Sequence, residues 1–165
     1  MISFKNKVTK FLTSGFEIGT FKYPLGGIWG IFLGIIFSLA LNQVNLIFKI
    51  LILVILIILL IPLASRGEKI FNRGKDPHCI VVDEIVGVFL TAMWFDIDKV
   101  IFLFKTIPIP LYLIIVLVYG IFDASKPFPI YRIQRLPRGW GIVLDDIIAG
   151  IYAAISMAII LRIFG

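Results

Sequence analysis

The chain has 165 residues, 60% of them hydrophobic and only 16% charged, with a formal net charge of +6. Soluble domains hold roughly 45–50% apolar residues. This composition therefore excludes an ordinary soluble fold and reads as one integral membrane domain over residues 1–165. The 16 basic residues fall in short clusters between hydrophobic runs. That is the pattern of loops touching anionic headgroups, not of a nucleic-acid surface. A single cysteine, Cys79, excludes an intramolecular disulfide.

Residues 1–22 carry Lys5, Lys7, Lys10 and Lys22 with one acid, Glu17, and precede an apolar run at 23–41. Ser38-Leu39-Ala40 has small-x-small character, but the charged region is too long, and the run too near spanning length, for a signal sequence. A first transmembrane helix is the better reading, and its Gly26, Gly27, Gly30 and Gly34 allow another backbone to approach closely. After a polar turn at 42–45, residues 46–64 are nearly pure Leu and Ile, interrupted by Lys49 and Pro62. They read as a plain lipid-facing span.

Residues 65–78 form a polar loop with Arg66, Glu68, Lys69, Arg73, Lys75 and Asp76. A third span at 79–95 then places two adjacent acids, Asp83 and Glu84, one turn inside. A loop of mixed sign at 96–105 leads to a fourth span at 106–122, with Pro108 and Pro110 at its entrance, where a helix tolerates them. Residues 123–141 are polar and irregular, broken by Pro127, Pro129 and Pro137 and charged by Lys126, Arg132, Arg135 and Arg138. A fifth span at 141–161 carries a second acidic pair, Asp145 and Asp146. The expected fold is an all-α membrane bundle of about five transmembrane helices.

Lys and Arg number 4, 0, 4, 2, 4 and 1 in segments 1–22, 42–45, 65–78, 96–105, 123–141 and 162–165. Rich and poor segments alternate, so the positive-inside rule puts the N-terminus and the 65–78 and 123–141 loops in the cytoplasm. Asp76, Asp83, Glu84, Asp123, Asp145 and Asp146 then share one membrane face, and Asp96 and Asp98 lie opposite.

A charge inside the bilayer costs about 2.5 kcal/mol or more, so such acids are functional candidates. Crowded carboxylates repel unless protons, basic groups or a divalent cation neutralise them. An all-oxygen donor set with one histidine, His78, excludes a histidine-based zinc site and favours Mg²⁺. Carboxylates, Mg²⁺ and nearby Lys and Arg together suit a phosphate-bearing substrate. Plainer readings stand beside these. Asp76 also reads as an N-cap before Pro77, the loop cations as lipid anchors, Glu17 as a partner for a lysine, and Cys79 as inert.

Three motifs carry a resemblance: Asp76-x₃-Ile80-Val81-x-Asp83-Glu84-x₂-Gly87, Asp123-x₂-Lys126-Pro127-x-Pro129-Ile130, and Gly139-x-Gly141-Ile142-x₂-Asp145-Asp146-x₂-Ala149-Gly150. In this order they resemble phosphatidylglycerophosphatase A, a family of bacterial membrane lipid phosphatases. The resemblance implies Mg²⁺-dependent hydrolysis of phosphatidylglycerophosphate to phosphatidylglycerol and phosphate, in phospholipid biosynthesis at the cytoplasmic face of the cell membrane. It marks Asp83, Glu84, Asp123, Asp145 and Asp146 as catalytic and Lys126 as phosphate-binding, with Asp83, Glu84, Asp145 and Asp146 as metal ligands. The arginine that the family often carries three residues before Asp123 is here Gly120, which makes Arg132 and Arg138 candidate substitutes for that cation.

Two other readings compete. A lipid phosphotransferase also uses acids and metal in membrane helices, but its Asp-Gly-x₂-Ala-Arg signature is absent. An ion or proton transporter spreads acids through the bilayer depth, whereas these gather at one face. The topology is checked by cysteine labelling in intact cells: Asn45→Cys and Gln134→Cys are expected to label from opposite sides.

Overall fold

The architecture comes from a computed structural model, which describes residues 3–20, 26–72, 78–103 and 107–164. Among the described residues seven helices and two paired strands follow each other as α1 (Phe4–Thr13), α2 (Gly26–Ala40), α3 (Leu46–Phe71), α4 (Val82–Ala92), β1 (Val100–Leu103), β2 (Ile107–Pro110), α5 (Leu111–Ser125), α6 (Ile130–Ile133) and α7 (Gly139–Phe164). A 3₁₀ turn at Ile18–Thr20 separates α1 from α2. Among the described residues the fold is all-α apart from the two short strands.

Helix α1 was not anticipated. It is amphipathic in an unusual sense: Thr9 and Thr13 are buried, while Phe4, Val8, Phe11 and Leu12 are exposed beside Lys5, Lys7 and Lys10. Helix α3 starts at an Asn45 cap whose side chain accepts the Ile47 N–H at 2.9 Å. It continues through residues 65–71, expected as loop, because Arg66, Glu68 and Lys69 are good helix formers. It stops at Asn72, whose φ of 47° is left-handed, a conformation asparagine tolerates better than most residues.

The third apolar segment is much shorter as a helix than its sequence suggests. At 11 residues, α4 is about 16 Å long, half of a bilayer's roughly 30 Å hydrocarbon core. Asp83 and Glu84 therefore lie in its first turn. Helices α3 and α7, each 26 residues, are long and apolar enough to cross a membrane; α2 and α5 are shorter apolar helices of 15 residues. Residues 100–103 and 107–110 pair as antiparallel strands, Val100 opposite Pro110 and Leu103 opposite Ile107. The alternating prolines, which lack N–H donors, suit an exposed strand edge, and Pro110 also caps α5, so it stands at the helix entrance as expected.

Helix α4 is the hub, packed against α2, α3, α5 and α7. All its residues but Ile85 are buried. Small residues make this possible. On α2, a methyl added at Gly34 would stand 2.7 Å from Val88 Cβ, and one at Gly30 would stand 2.9 Å from Glu84 Cβ. Between α4 and α7, a methyl at Gly150 would meet the Gly87 carbonyl at 2.6 Å. There Thr91 Oγ1 donates to the carbonyl oxygens of Gly87 and Gly150, at 3.0 and 3.1 Å. The start of α7 is tied to α3 by the Gly139 N–H, which donates to Ser65 Oγ at 2.9 Å. Apolar cores flank the hub: Ile115, Ala149, Ala153 and Met157 on one side, and Leu60, Ala64, Phe89 and Val143 on the other.

Gly87→Ala is expected to lower thermal stability in detergent by about 1–3 kcal/mol, the cost of forcing a methyl into a filled space. A methyl there meets the Tyr119 hydroxyl at 2.5 Å and the Asp146 carbonyl at 2.8 Å. At Gly120 the nearest atom is Ile31 Cδ1, 3.8 Å away. Gly120→Ala is therefore expected to melt at or above the parent temperature, and paired melting curves check both.

Candidate active site

The two acidic pairs arrive from two helices that touch. Asp83 and Glu84 occupy the first turn of α4, where the Val81 cap offers no side chain to the free N–H groups and negative charge suits the helix's positive end. Asp145 and Asp146 lie in the second turn of α7. Relative exposures are 2%, 8%, 1% and 3% in chain order, so all four carboxylates are withdrawn from bulk solvent.

Neighbours on a helix point about 100° apart, and the pairs divide accordingly. Asp146 turns toward α4, where one carboxylate oxygen each from Asp83, Glu84 and Asp146 lie within 4.8 Å of one another. Asp145 turns toward the end of α5 and accepts a hydrogen bond from Lys126 Nζ at 2.5 Å. Lys126 Nζ is also 3.7 Å from Asp123 Oδ1. The chain reverses at Lys126, whose backbone is left-handed at φ 41° and caps α5 through its N–H to the Phe122 carbonyl. A non-glycine residue in that conformation costs about 1–2 kcal/mol. The reversal leaves the lysine with both aspartates in reach.

Glu84 sits in a cradle made of missing side chains. A methyl at Gly27 would stand 3.0 Å from its Oε1, and one at Gly30 would stand 3.0 Å from its Oε2. The α2 glycines thus leave room for the carboxylate itself as well as for close helix packing. The clustered donors are three carboxylates, without thiolate or imidazole. Such a set fits a hard, oxygen-preferring cation, so Asp83, Glu84 and Asp146 are able to hold a metal ion.

The other expected site residues lie elsewhere. Arg132 is exposed; its guanidinium stands 5.0 Å over the Phe128 ring, and its Nε donates to the Tyr131 hydroxyl at 3.2 Å. Arg138, also exposed, lines a cavity of about 620 Å³ with Arg66, Lys69 and Trp140, and none of the acids lines it. Neither arginine forms an ion pair with the clustered acids among the described residues. Glu17 is exposed just beyond α1 with φ 71°. Asp76 lies outside the described residues. Asp96 and Asp98 sit past the far end of α4, where Asn42 Nδ2 donates to both, at 3.2 and 2.8 Å.

One residue beside the site escaped sequence reading. Tyr119 on α5 is fully buried, and its hydroxyl lies against Gly87 where α4 and α7 meet. Its position four residues before Asp123, one helical turn, was the available signal.

The family model of phosphatidylglycerophosphatase A matches residues 11–161 of the chain. A Haemophilus influenzae protein named phosphatidylglycerophosphatase A is 32% identical over 152 residues, which cover 87% of this chain and 83% of that protein. A Bacteroides thetaiotaomicron protein, provisionally named a phosphatidylinositol-3-phosphatase, is 31% identical over 92 residues. That match covers 56% of this chain and 54% of the relative, about half its length. No solved structure matches the chain.

Breaking a buried ion pair from one side costs about 3–5 kcal/mol. Lys126→Met, which removes the ammonium from beside the buried Asp145, is accordingly expected to lower stability by that order. Adding Asp145→Asn is expected to restore most of it without restoring function, as measured by denaturation in detergent alongside an activity assay.

Proposed function

The chain belongs to the phosphatidylglycerophosphatase A family, and from that membership we propose that it hydrolyses phosphatidylglycerophosphate to phosphatidylglycerol and inorganic phosphate in a Mg²⁺-dependent reaction. The observation that carries this reading is the buried carboxylate triad of Asp83, Glu84 and Asp146 beside the Lys126–Asp145 pair. Those three carboxylates would hold the ion. Bound there, Mg²⁺ supplies neutralising charge for phosphoryl oxygens, which repel an incoming oxygen nucleophile.

The protein's own groups do the rest. Lys126 binds a phosphoryl oxygen while Asp145 and Asp123 hold its ammonium in place. A carboxylate of the cluster accepts a proton as water attacks phosphorus. The bond from phosphorus to the glycerol oxygen breaks, and that oxygen leaves with a proton as phosphatidylglycerol. The chain has no Asp-x-Asp-x-Thr signature of a phosphoenzyme, which favours direct attack by water. Arg132 and Arg138, on the connection from α5 to α7, form the outer cationic surface that meets the headgroup.

In the bilayer, the single domain crosses five times with the site on the cytoplasmic side of the cell membrane. Helix α4 is the inner crossing. Its short length is tolerated because irregular backbone at membrane depth is stable when enclosed by protein. Gathering of the acids at the start of α4, while Asp96 and Asp98 lie beyond its other end, favours a surface-facing enzyme over a transporter relay.

Detergent-solubilised protein is expected to release phosphate from phosphatidylglycerophosphate with Mg²⁺ and to stop on addition of EDTA. Asp83→Asn and Asp146→Asn are each expected to reduce the rate by on the order of 100-fold or more. Full activity of both variants at normal expression would show the site to be misassigned. Wild-type protein that releases no phosphate would contradict the function itself.

A further inference from the structure

The side of the acidic pocket formed by α5 holds a group that the carboxylates do not explain. Tyr119 is 0% exposed, and among the described residues its hydroxyl has no hydrogen-bond partner. Burying a hydroxyl unpaired costs stability, and phenylalanine would fill the same volume without that cost. The unpaired hydroxyl therefore points to a partner other than the described residues.

The hydroxyl lies at the junction of three helices. A methyl at Gly87 would meet the Tyr119 hydroxyl at 2.5 Å and the Asp146 carbonyl oxygen at 2.8 Å. The absence of a side chain at Gly87 is what admits the phenol to this depth. Asp146, whose carbonyl lies across Gly87 from the hydroxyl, carries one of the three clustered carboxylates. The neighbouring Thr91 hydroxyl is already committed to the Gly87 and Gly150 carbonyls.

The three clustered side chains are acceptors rather than donors. Ionised carboxylates only accept hydrogen bonds, and the Lys126 ammonium is engaged by Asp145 and Asp123. Water or a phosphoryl group entering among the acids presents oxygen atoms that need donors. Lys126, with its side chain 22% exposed, supplies them from the outer side. Tyr119 is placed to supply one from the inner side.

We propose that Tyr119 is a catalytic residue whose O–H donates a hydrogen bond to an oxygen of the ligand held among Asp83, Glu84 and Asp146, either water or a phosphoryl oxygen. The proposal rests on the phosphatase reading above and adds a neutral donor to its charged groups.

The test compares full-length Tyr119→Phe with wild type in one detergent, by three measurements. These are phosphate release from phosphatidylglycerophosphate, calorimetric binding of inorganic phosphate with Mg²⁺ present, and melting temperature. The variant is expected to melt at or above wild type while kcat/KM falls about 10- to 100-fold, the effect of one hydrogen bond to a charged group. A parallel fall in phosphate affinity identifies the phosphoryl oxygen as the acceptor. A fall in kcat at unchanged phosphate affinity identifies water. Activity and phosphate affinity both within about twofold of wild type overturn the proposal. So does a variant that melts well below wild type, since the hydroxyl would then be serving the fold. Wild type without phosphatase activity overturns the phosphatase reading instead, and unchanged phosphate affinity in the variant would then dispose of the Tyr119 role too.

Discussion

Four carboxylates, two on α4 and two on α7, are held out of bulk solvent where those helices touch at Gly87 and Gly150. Ionised acids resist such crowding, because each loses hydration and each repels the others. The surrounding architecture is the set of arrangements that makes the crowding tolerable. Glycines on α2 leave space around the Glu84 carboxylate, the reversal at Lys126 leaves an ammonium beside Asp145, and the α4 N-terminus presents its positive end to Asp83 and Glu84. A larger residue at Gly30 or Gly150 would push apart the helices that define the site.

Adjacency within each pair gives the acids different tasks. Because consecutive side chains diverge by about 100°, Asp145 faces Lys126 while Asp146 joins Asp83 and Glu84. One pair of neighbours thus serves two adjoining features, a cluster suited to a hard cation and an ion pair that holds the Lys126 ammonium. Together these supply what phosphoryl transfer needs, which is positioning and charge stabilisation more than covalent chemistry. Helix α4 presents the cluster at one end and the Asn42–Asp96–Asp98 contacts beyond the other, so the two groups of acids lie at opposite ends of the bundle.

Much of this was legible from the residues themselves. A 60% apolar chain with acids inside its hydrophobic runs announces membrane helices with something to hold. The glycines after each acidic pair signal close packing. Hydropathy is blind, however, to whether an apolar helix faces lipid or protein, so the 11-residue α4, buried except at Ile85, looked like an ordinary span. Charges at Arg66 and Lys69 read as loop, although long basic side chains let a helix run into the headgroup layer. Pro108 and Pro110 mark the entrance of α5, but the short strand they form just before it shows only with its partner strand. Tyr119 was hidden for a simpler reason: a phenol in an apolar run looks like packing until its hydroxyl is seen to lie unpaired where α4 and α7 meet.

The central claim is that Asp83, Glu84 and Asp146 form one cation site. Mn²⁺ accepts the same oxygen-rich surroundings as Mg²⁺ and scatters anomalously, so diffraction from crystals of the full chain soaked in Mn²⁺ tests this directly. The account predicts an anomalous peak within coordination distance of carboxylate oxygens from all three residues. A well-ordered site without a peak there, or a peak at Asp96 and Asp98 alone, would contradict it.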